Sequence, residues 1–265
     1  MTDTEQIYKL TIEYDGGRYS GWQKQADART VQGALQHAAE TLVGGPVDIQ
    51  GNGRTDAGVH ALRFTAHLAA TASLEPGTLS AELNELLPHD ITVLEAKKAG
   101  PRFHARHHCV ARGYLYQITT RKSAFCRRYT WWIKEPLDLR AMAGAAELMK
   151  GMHDFSSFTD RKALKNKSPL VLLEKIQVAK KDDVILIRIV GSHFLWKMVR
   201  RMVGVLAAVG LHTLTNEDVG RFLREPVNLS PYTAPAQALF FEQCFYNREE
   251  TDAFLADDTI SPCFF

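Results

Sequence analysis

The fold is decided first by YKLTIEY (residues 8–14), in which the apolar side chains of Tyr8, Leu10, Ile12 and Tyr14 alternate with polar ones. A period of two predicts a strand that buries one of its faces. The chain has 265 residues, of which 45% are hydrophobic and 23% charged, and this composition is typical of a globular protein. The segment is therefore predicted to be the first strand of a globular domain.

Together with this strand, the segments of the first half that have helical or strand periodicity are arranged in the order βαββαβ, which is that of a ferredoxin-like unit. The segments that carry these periods are 8–14, 31–42, 47–49, 62–68, 79–87 and 91–93. The second half predicts the same order from 112–120, 138–151, 170–178, 184–190, 195–209 and 238–246. We therefore expect an α+β protein with two similar halves, residues 1–105 and 106–265, whose strands form a central sheet covered by helices.

Local signals support several of these boundaries. Thr30 and Asp138 are typical N-caps, and Thr215 with Asp218 predicts a capping box before a short additional helix. Residues 121–136 and 152–169 are predicted to be loops.

Charge is distributed unevenly along the chain. Residues 101–201 carry 21 Lys and Arg against 8 Asp and Glu, whereas the formal net charge of the whole chain is +2. A basic middle segment is compatible with a surface that binds a polyanion such as nucleic acid. Charge alone nevertheless favours the alternative, a cluster of charges that merely faces water.

Several classes of protein are disfavoured by what the sequence lacks. The longest apolar run has nine residues, Val203 to Leu211, and the first residues are polar and acidic, so neither a membrane span nor a signal peptide is predicted. The four cysteines are widely spaced without a CxxC motif, which favours a reducing, cytoplasmic location. Neither a Walker loop nor GxGxxG occurs, so no nucleotide cofactor is predicted.

The segment whose side chains are best suited to catalysis is GNGRTDAGVHA (residues 51–61), between the second and third predicted strands. Its glycines permit close approach of a ligand, and they flank Arg54, Thr55, Asp56 and His60. A carboxylate beside an arginine stays ionised at neutral pH and can act as a nucleophile or base. Loop composition alone favours the alternative, a hairpin turn with a surface ion pair.

At this point a family resemblance becomes visible: GRTDAGVHA (residues 53–61) is similar to the signature of the tRNA pseudouridine synthase A family. Six further blocks resemble that family in the same order, and together they span nearly the whole chain. They are 13–25, 84–91, 103–106, 111–116, 154–158 with 194–200, and 234–236. One departure is Ala238, which stands where the family's closing motif has glycine, and which puts the local backbone geometry in question.

The resemblance implies isomerisation of uridine to pseudouridine in the tRNA anticodon stem-loop, at tRNA positions 38–40, without a cofactor. It implies that Asp56 is the catalytic carboxylate, which attacks the ribose, attacks the uracil ring or acts as a base. Arg54 would displace or hold the extruded base, since enzymes that act on a base take it out of the stack. Tyr114 would stack on the uracil, and Arg200 would pair with Asp56 in a cleft between the halves. On their own, Tyr114 suits a core aromatic residue and Arg200 a surface arginine.

Contacts to RNA phosphates are expected from basic side chains, with salt-dependent affinity. The candidates are Arg161, Lys162, Lys165, Lys167, Lys197 and the cations of 121–128. His104, His107, His108 and Cys109 do not predict a metal site, because they form no compact ligand set. The resemblance also implies a homodimer that binds tRNA, and binding to a membrane is not expected. The competing hypothesis is a non-catalytic tRNA-binding or folding module on the same scaffold; a glycosidase is disfavoured because a second catalytic carboxylate is not evident.

Overall fold

The protein is described from a computed structural model, which covers residues 5–71, 73–164 and 168–263. The chain forms two compact units. The first contains the residues up to Cys109 together with Phe240–Tyr246, and the second contains Val110–Leu239 and the residues from Asn247 onward. Helices and strands occur in both units, which confirms the predicted α+β class.

The first unit has the predicted order of strands and helices. Its elements are β1 (Gln6–Tyr14), α1 (Val31–Val43), β2 (Asp48–Gly51), β3 (His60–Ala70), α2 (Pro76–Leu86) and β4 (Ile91–Ala99). β1 lies between β3 and β4 and pairs with both in antiparallel register. The alternation in residues 8–14 is explained by this position, because Tyr8, Leu10 and Ile12 are fully buried.

One strand joins the first unit from far along the chain. The prediction assigned residues 238–246 to the second half, but β10 (Leu239–Phe245) pairs in parallel with the start of β3, at His60 and Ala61. β2 pairs with the other end of the same β3 edge. A parallel pair requires a long connection, and no local sequence signal identifies which strand will receive it.

The second unit is built on an antiparallel sheet in the order β5-β9-β8-β7, with β6 paired in parallel to the end of β5. Its elements are β5 (Ala111–Thr119), β6 (Trp131–Trp132), α3 (Leu139–Met149), β7 (Gly151–Asp154), α4 (Arg161–Leu164), β8 (Leu170–Lys181), β9 (Val184–Gly191), α5 (Met198–Gly210), α6 (Asn216–Arg224) and α7 (Arg248–Ala256). All eight residues of β9 are buried, as its continuous apolar sequence predicts for a central strand.

The predicted helix caps are confirmed. The side chain of Thr30 accepts a hydrogen bond at the start of α1, Asp138 caps α3, and Thr215 forms a complete capping box with Asp218 before α6. α5 differs from its prediction: it begins at Met198, three residues later than expected, because the preceding residue adopts a left-handed backbone conformation.

The two segments predicted to be loops contain short elements. Residues 121–136 include β6, and 152–169 include most of β7 and the single-turn α4. Lys165 and Lys167 lie outside the described residues. Among the helices of the described residues, none combines the length and apolarity needed to cross a bilayer.

Candidate active site

The glycine-rich segment connects two antiparallel strands of the first unit. β2 ends at Gly51 and β3 begins at His60, so Arg54, Thr55 and Asp56 lie on the loop between them. The start of the loop is anchored by Asn52, whose fully buried side chain donates a hydrogen bond from Nδ2 to Cys244 Sγ at 2.7 Å. The predicted placement of this segment between two strands is thus confirmed.

The loop backbone is held against residues 16–22 at very short range. Trp22 N donates to Thr55 O at 3.3 Å, and Gly58 N donates to the carbonyl of residue 19 at 3.3 Å. Gly21 has φ +93°, and a Cβ atom there would lie 2.4 Å from Thr55 O; a Cβ at Gly16 would lie 1.9 Å from the carbonyl oxygen of residue 59. Only glycine permits these approaches, so the backbone on both sides of Asp56 is fixed.

Side chains add to this restraint. Tyr14 OH and Thr55 Oγ1 form a buried hydrogen bond of 3.0 Å, directly before Asp56 in the chain. Asp56 itself is half-buried, and its carbonyl oxygen accepts a hydrogen bond from Val59 N at 3.2 Å. A carboxylate on a loop held by buried groups is positioned in advance, which is what nucleophilic or basic catalysis requires.

The far end of the loop is held by His60, which is almost fully buried and stacks on Phe240 with 4.9 Å between ring centroids. Its Nδ1 lies 3.0 Å from Asp15 Oδ1 and 3.1 Å from Gly16 N. When Nδ1 carries a proton it donates to the carboxylate, and when it does not it accepts from the amide. In either state His60 ties the loop to the end of β1.

Arg54 is exposed, and its Nε donates to Gln23 Oε1 at 3.2 Å. Gln23 in turn donates from Nε2 to Gln32 Oε1 at 2.7 Å, and Gln32 Nε2 donates to Ile49 O at 2.6 Å. The chain of amides runs from the backbone of β2 through α1 to the guanidinium. We call Gln32 and Gln23 the glutamine relay. Its role in holding Arg54 was not predicted, because amide side chains carry no periodic signal.

A second network beside the loop was also missed. The Tyr19 hydroxyl donates to Asp90, and Arg29 Nη2 donates to the Tyr19 oxygen at 3.0 Å while its guanidinium lies over the Tyr19 ring. Burial and the hydrogen bond to Asp90 raise the pKa of Tyr19 to about 12. The Tyr19 hydroxyl is therefore neutral at physiological pH. The Tyr19 backbone carbonyl holds the loop by accepting the hydrogen bond from Gly58 N.

Tyr114 lies in the second unit, on β5, opposite Ile189 of β9. It is half-buried, and its ring meets Phe194 edge-on with 5.0 Å between centroids. Tyr116, two residues later, is fully buried and donates from its hydroxyl to Pro235 O at 2.9 Å. Of the two tyrosines on this face, Tyr114 is thus the one that retains an accessible part.

Arg200 also lies in the second unit, in the first turn of α5. Its Nε donates to Ala234 O at 2.8 Å, and Ala234 N donates to the Arg200 carbonyl at 3.1 Å. The guanidinium is therefore held by the closing motif. Ala238 in that motif is fully buried and does not have a positive φ, so alanine meets no left-handed strain there.

The neighbouring Arg201 is not available to RNA. Its side chain is 2% exposed and forms an ion pair with Asp160. Lys197 has φ 59° and precedes α5, and its Nζ lies 4.1 Å from the Trp196 ring centroid. Lys162 is exposed on α4, which begins at Arg161.

His104, His107 and His108 lie in a turn of the first unit. His104 Nδ1 accepts from the backbone N–H groups of Arg106 and His107, and His67 Nδ1 accepts from Ala105 N. Within the described part of the chain, no three His, Cys, Asp or Glu side chains are arranged to hold a metal ion. These imidazoles are hydrogen-bond acceptors that fold the turn.

Comparison with known proteins gives consistent matches. The model of the tRNA pseudouridine synthase family matches residues 10–108 and 145–247. A "tRNA pseudouridine synthase A 2" of Clostridium tetani is 36% identical over 90% of this chain and 98% of its own length. Proteins named "tRNA pseudouridine synthase A" from Sinorhizobium fredii and Methylobacterium nodulans are 38% and 40% identical, over 90% and 88% of this chain and 99% and 92% of their own lengths. The glycine-rich loop with Arg54 and Asp56 lies inside the matched region, and the chain belongs to the tRNA pseudouridine synthase family.

Proposed function

We propose that this protein converts uridine to pseudouridine in the anticodon stem-loop of tRNA, at tRNA positions 38–40, with Asp56 as the nucleophile. The observation that carries the proposal is the half-buried Asp56 on a loop fixed by buried hydrogen bonds and glycine contacts, in a chain related to named tRNA pseudouridine synthases. The two-half ferredoxin-like architecture, with the catalytic loop in residues 1–105 and the tyrosine strand in 106–265, belongs to the same proposal.

The reaction breaks the C–N bond between uracil and ribose, rotates the base, and forms a C–C bond to the same ribose carbon. No atom is gained or lost, so the chemistry balances without a cofactor. Asp56 attacks the ribose carbon or the uracil ring, or removes a proton from the ribose, and the later collapse of that intermediate regenerates the carboxylate. Each route requires an ionised carboxylate that is held close to an extruded base.

The other site residues act on the base. Arg54, oriented by the glutamine relay, holds the nucleotide out of the stack, and half-buried Tyr114 stacks on the uracil. Arg200, held by Ala234, pairs with the Asp56 carboxylate. An arginine whose Nε is already engaged keeps its terminal amino groups in a defined plane, which suits the recognition of a carboxylate.

Binding of the tRNA backbone is assigned to cations of the basic segment: Arg161, Lys162, Lys165, Lys167 and Lys197. Cationic side chains at phosphates give affinity that is insensitive to sequence and falls with salt. We further propose that the protein acts in the cytoplasm as a homodimer. Gel filtration with light scattering measures the oligomeric state directly.

The first prediction tests the nucleophile. Asp56→Asn is expected to lower pseudouridine formation by roughly 10³-fold or more, as for loss of a covalent catalyst, while RNA affinity and folding stay unchanged. Turnover is measured by tritium release from 5-tritiated uridine in tRNA. Glu85→Gln is the control, because it removes a carboxylate from an exposed position on α2. Undiminished turnover of Asp56→Asn contradicts the assignment, and tRNA binding without any pseudouridine from the unmodified protein favours a non-catalytic binding module.

A further inference from the structure

The loop between β5 and β6 presents an aromatic ring to solvent. Phe125 is 91% exposed, more than any other large hydrophobic side chain of the described residues. Trp132, at the end of the same connection, is 43% exposed. Exposing an aromatic ring to water forgoes the free energy of burial, so a ring displayed in this way suggests a binding function.

The loop that carries Phe125 is an organised structure. Thr130 Oγ1 donates to Cys126 O at 2.9 Å, and Tyr129 N donates to the same carbonyl at 2.9 Å. Before Phe125 in the chain, Ser123 Oγ accepts a hydrogen bond from Cys126 N at 3.2 Å. A 3-10 turn over Cys126–Arg128 follows. Phe125 is therefore displayed by a hydrogen-bonded turn, which lowers the entropy cost of using it as a contact.

Several cationic residues lie close to Phe125 in the sequence. Residues 120–134 contain five Lys and Arg and no Asp or Glu. Lys122, Arg127 and Arg128 are all exposed. Arg121 is neutralised by Asp183, with 2.8 Å between Nε and Oδ2, and Lys122 Nζ lies 5.4 Å from the Trp132 ring centroid. The loop that carries Phe125 is thus rich in cations as well as aromatic rings.

We propose that residues 121–132, the Phe125 loop, bind single-stranded RNA, with Phe125 stacked on an unpaired base and Lys122, Arg127 and Arg128 at the flanking phosphates. This inference rests on the proposed function, because the anticodon loop of a tRNA supplies unpaired bases. An aromatic platform combined with cations is the arrangement that binds single strands. RNA is favoured over a protein partner because residues 120–134 carry five cations and no carboxylate, which complements the phosphates of a single strand.

The inference is tested with three substitutions of one residue in the full-length protein. Phe125→Ala and Phe125→Leu remove the aromatic face, and Phe125→Trp keeps it. Affinity for a fluorescently labelled anticodon stem-loop is measured by anisotropy at several salt concentrations. Phe125→Ala and Phe125→Leu are expected to weaken binding roughly 5- to 100-fold, whereas Phe125→Trp binds at least as tightly as the unmodified protein. The dependence on salt should not change, because these variants retain every cation.

A second pair of measurements separates stacking from charge. Arg127→Gln with Arg128→Gln is expected to reduce the slope of log affinity against log salt by about 1.4 units, since each of the two phosphate contacts contributes roughly 0.7 for a single strand. A fully paired RNA duplex of equal length should bind the Phe125→Ala variant and the unmodified protein equally. Circular dichroism verifies that each variant is folded.

Two results overturn the inference. One is unchanged stem-loop affinity in folded Phe125→Ala, and the other is a change of oligomeric state in that variant without a change of RNA affinity, which assigns the ring to self-association. The proposed function fails separately, if the unmodified protein binds the stem-loop but releases no tritium. Loss of affinity in Phe125→Ala supports the Phe125 loop in either case, because the readout is binding and not turnover.

Discussion

At the scale of single residues, the site depends on side chains whose chemistry is ordinary but whose partners are specific. Arg54 and Asp56 are two residues apart on one loop, yet they are held by different contacts. Asp56 is fixed through the backbone and through the hydroxyl pair of Tyr14 and Thr55. Arg54 is held at its side chain by Gln23. Substitutions of the residues that hold Arg54 should therefore leave the position of Asp56 unchanged, and the reverse should also hold.

The glutamine relay gives a prediction about Arg54. Gln23→Leu removes the acceptor of the Arg54 Nε, and we expect turnover to fall about fivefold, equivalent to the roughly 1 kcal/mol of a typical hydrogen bond. Gln23→Glu keeps the acceptor of Arg54 but cannot donate to Gln32 Oε1, so turnover should recover only in part. Gln36→Leu, on α1 like Gln32, is the control, because the Gln36 side chain pairs with those of Glu40 and Lys24 and not with the relay. Undiminished turnover of Gln23→Leu would refute the relay.

Gly21 gives a sharper prediction about the loop backbone. Gly21→Ala introduces a Cβ 2.4 Å from Thr55 O at a residue with φ +93°, so the loop must shift. We expect a loss of about 1–3 kcal/mol in the free energy of unfolding and a marked fall in turnover. Gly77→Ala on α2 is the matched control, because nothing lies within 4 Å of its added Cβ. Urea unfolding and tritium release measure the two effects, and equal behaviour of the two alanine variants would contradict the argument.

At the scale of secondary-structure elements, the helices are defined by their ends. Thr30, Asp138 and Thr215 cap α1, α3 and α6, and Asn247 caps α7 through Glu250 N. α7 was not predicted, since its sequence has weak periodicity. Its position is set by tertiary contacts: the Arg188 guanidinium lies 4.6 Å from the Phe254 ring centroid, just before the helix ends. A side-chain cap without clear apolar periodicity was thus not enough to predict a helix.

The capping box of α6 is tested by one substitution. Thr215→Ala removes the side-chain oxygen that accepts from Asp218 N, and the expected loss is about 1 kcal/mol in the free energy of unfolding. Thr215→Ser keeps the hydroxyl and should retain most of that stability. Chemical denaturation followed by circular dichroism compares the two variants. If Thr215→Ala were as stable as Thr215→Ser, the hydrogen bond would contribute nothing.

At the scale of the whole molecule, charge and titration differ between the units. The basic segment 101–201 falls mainly in the second unit, which therefore carries most of the expected phosphate contacts. The first unit instead contains the histidine turn. Burial and the nearby His104 lower the pKa of His67, and burial with His107 and His108 lowers the pKa of His104. Both imidazoles are therefore neutral near neutral pH.

These lowered pKa values predict how stability depends on pH. An imidazole whose pKa is lower in the folded than in the unfolded protein stabilises the fold above the unfolded value of about 6.5, and that stability is lost as pH falls through the folded value. The urea midpoint should thus be lower at pH 5 than at pH 8. His67→Asn keeps an acceptor near the Nδ1 position and cannot titrate, so its midpoint should fall less. An identical fall in both proteins would exclude His67 as the cause.

Local sequence patterns were enough to predict the α+β class, the order of the first six elements, the principal helix caps and the position of the glycine-rich loop. These are local properties, because periodicity and capping depend on neighbours within a few residues. Other features became known only from the folded chain: β10 pairs with β3, Gln23 and Gln32 hold Arg54, and Arg201 is buried against Asp160 while Phe125 is exposed. Each of these depends on partners distant in sequence or on a side chain's burial, which residue type and spacing do not encode.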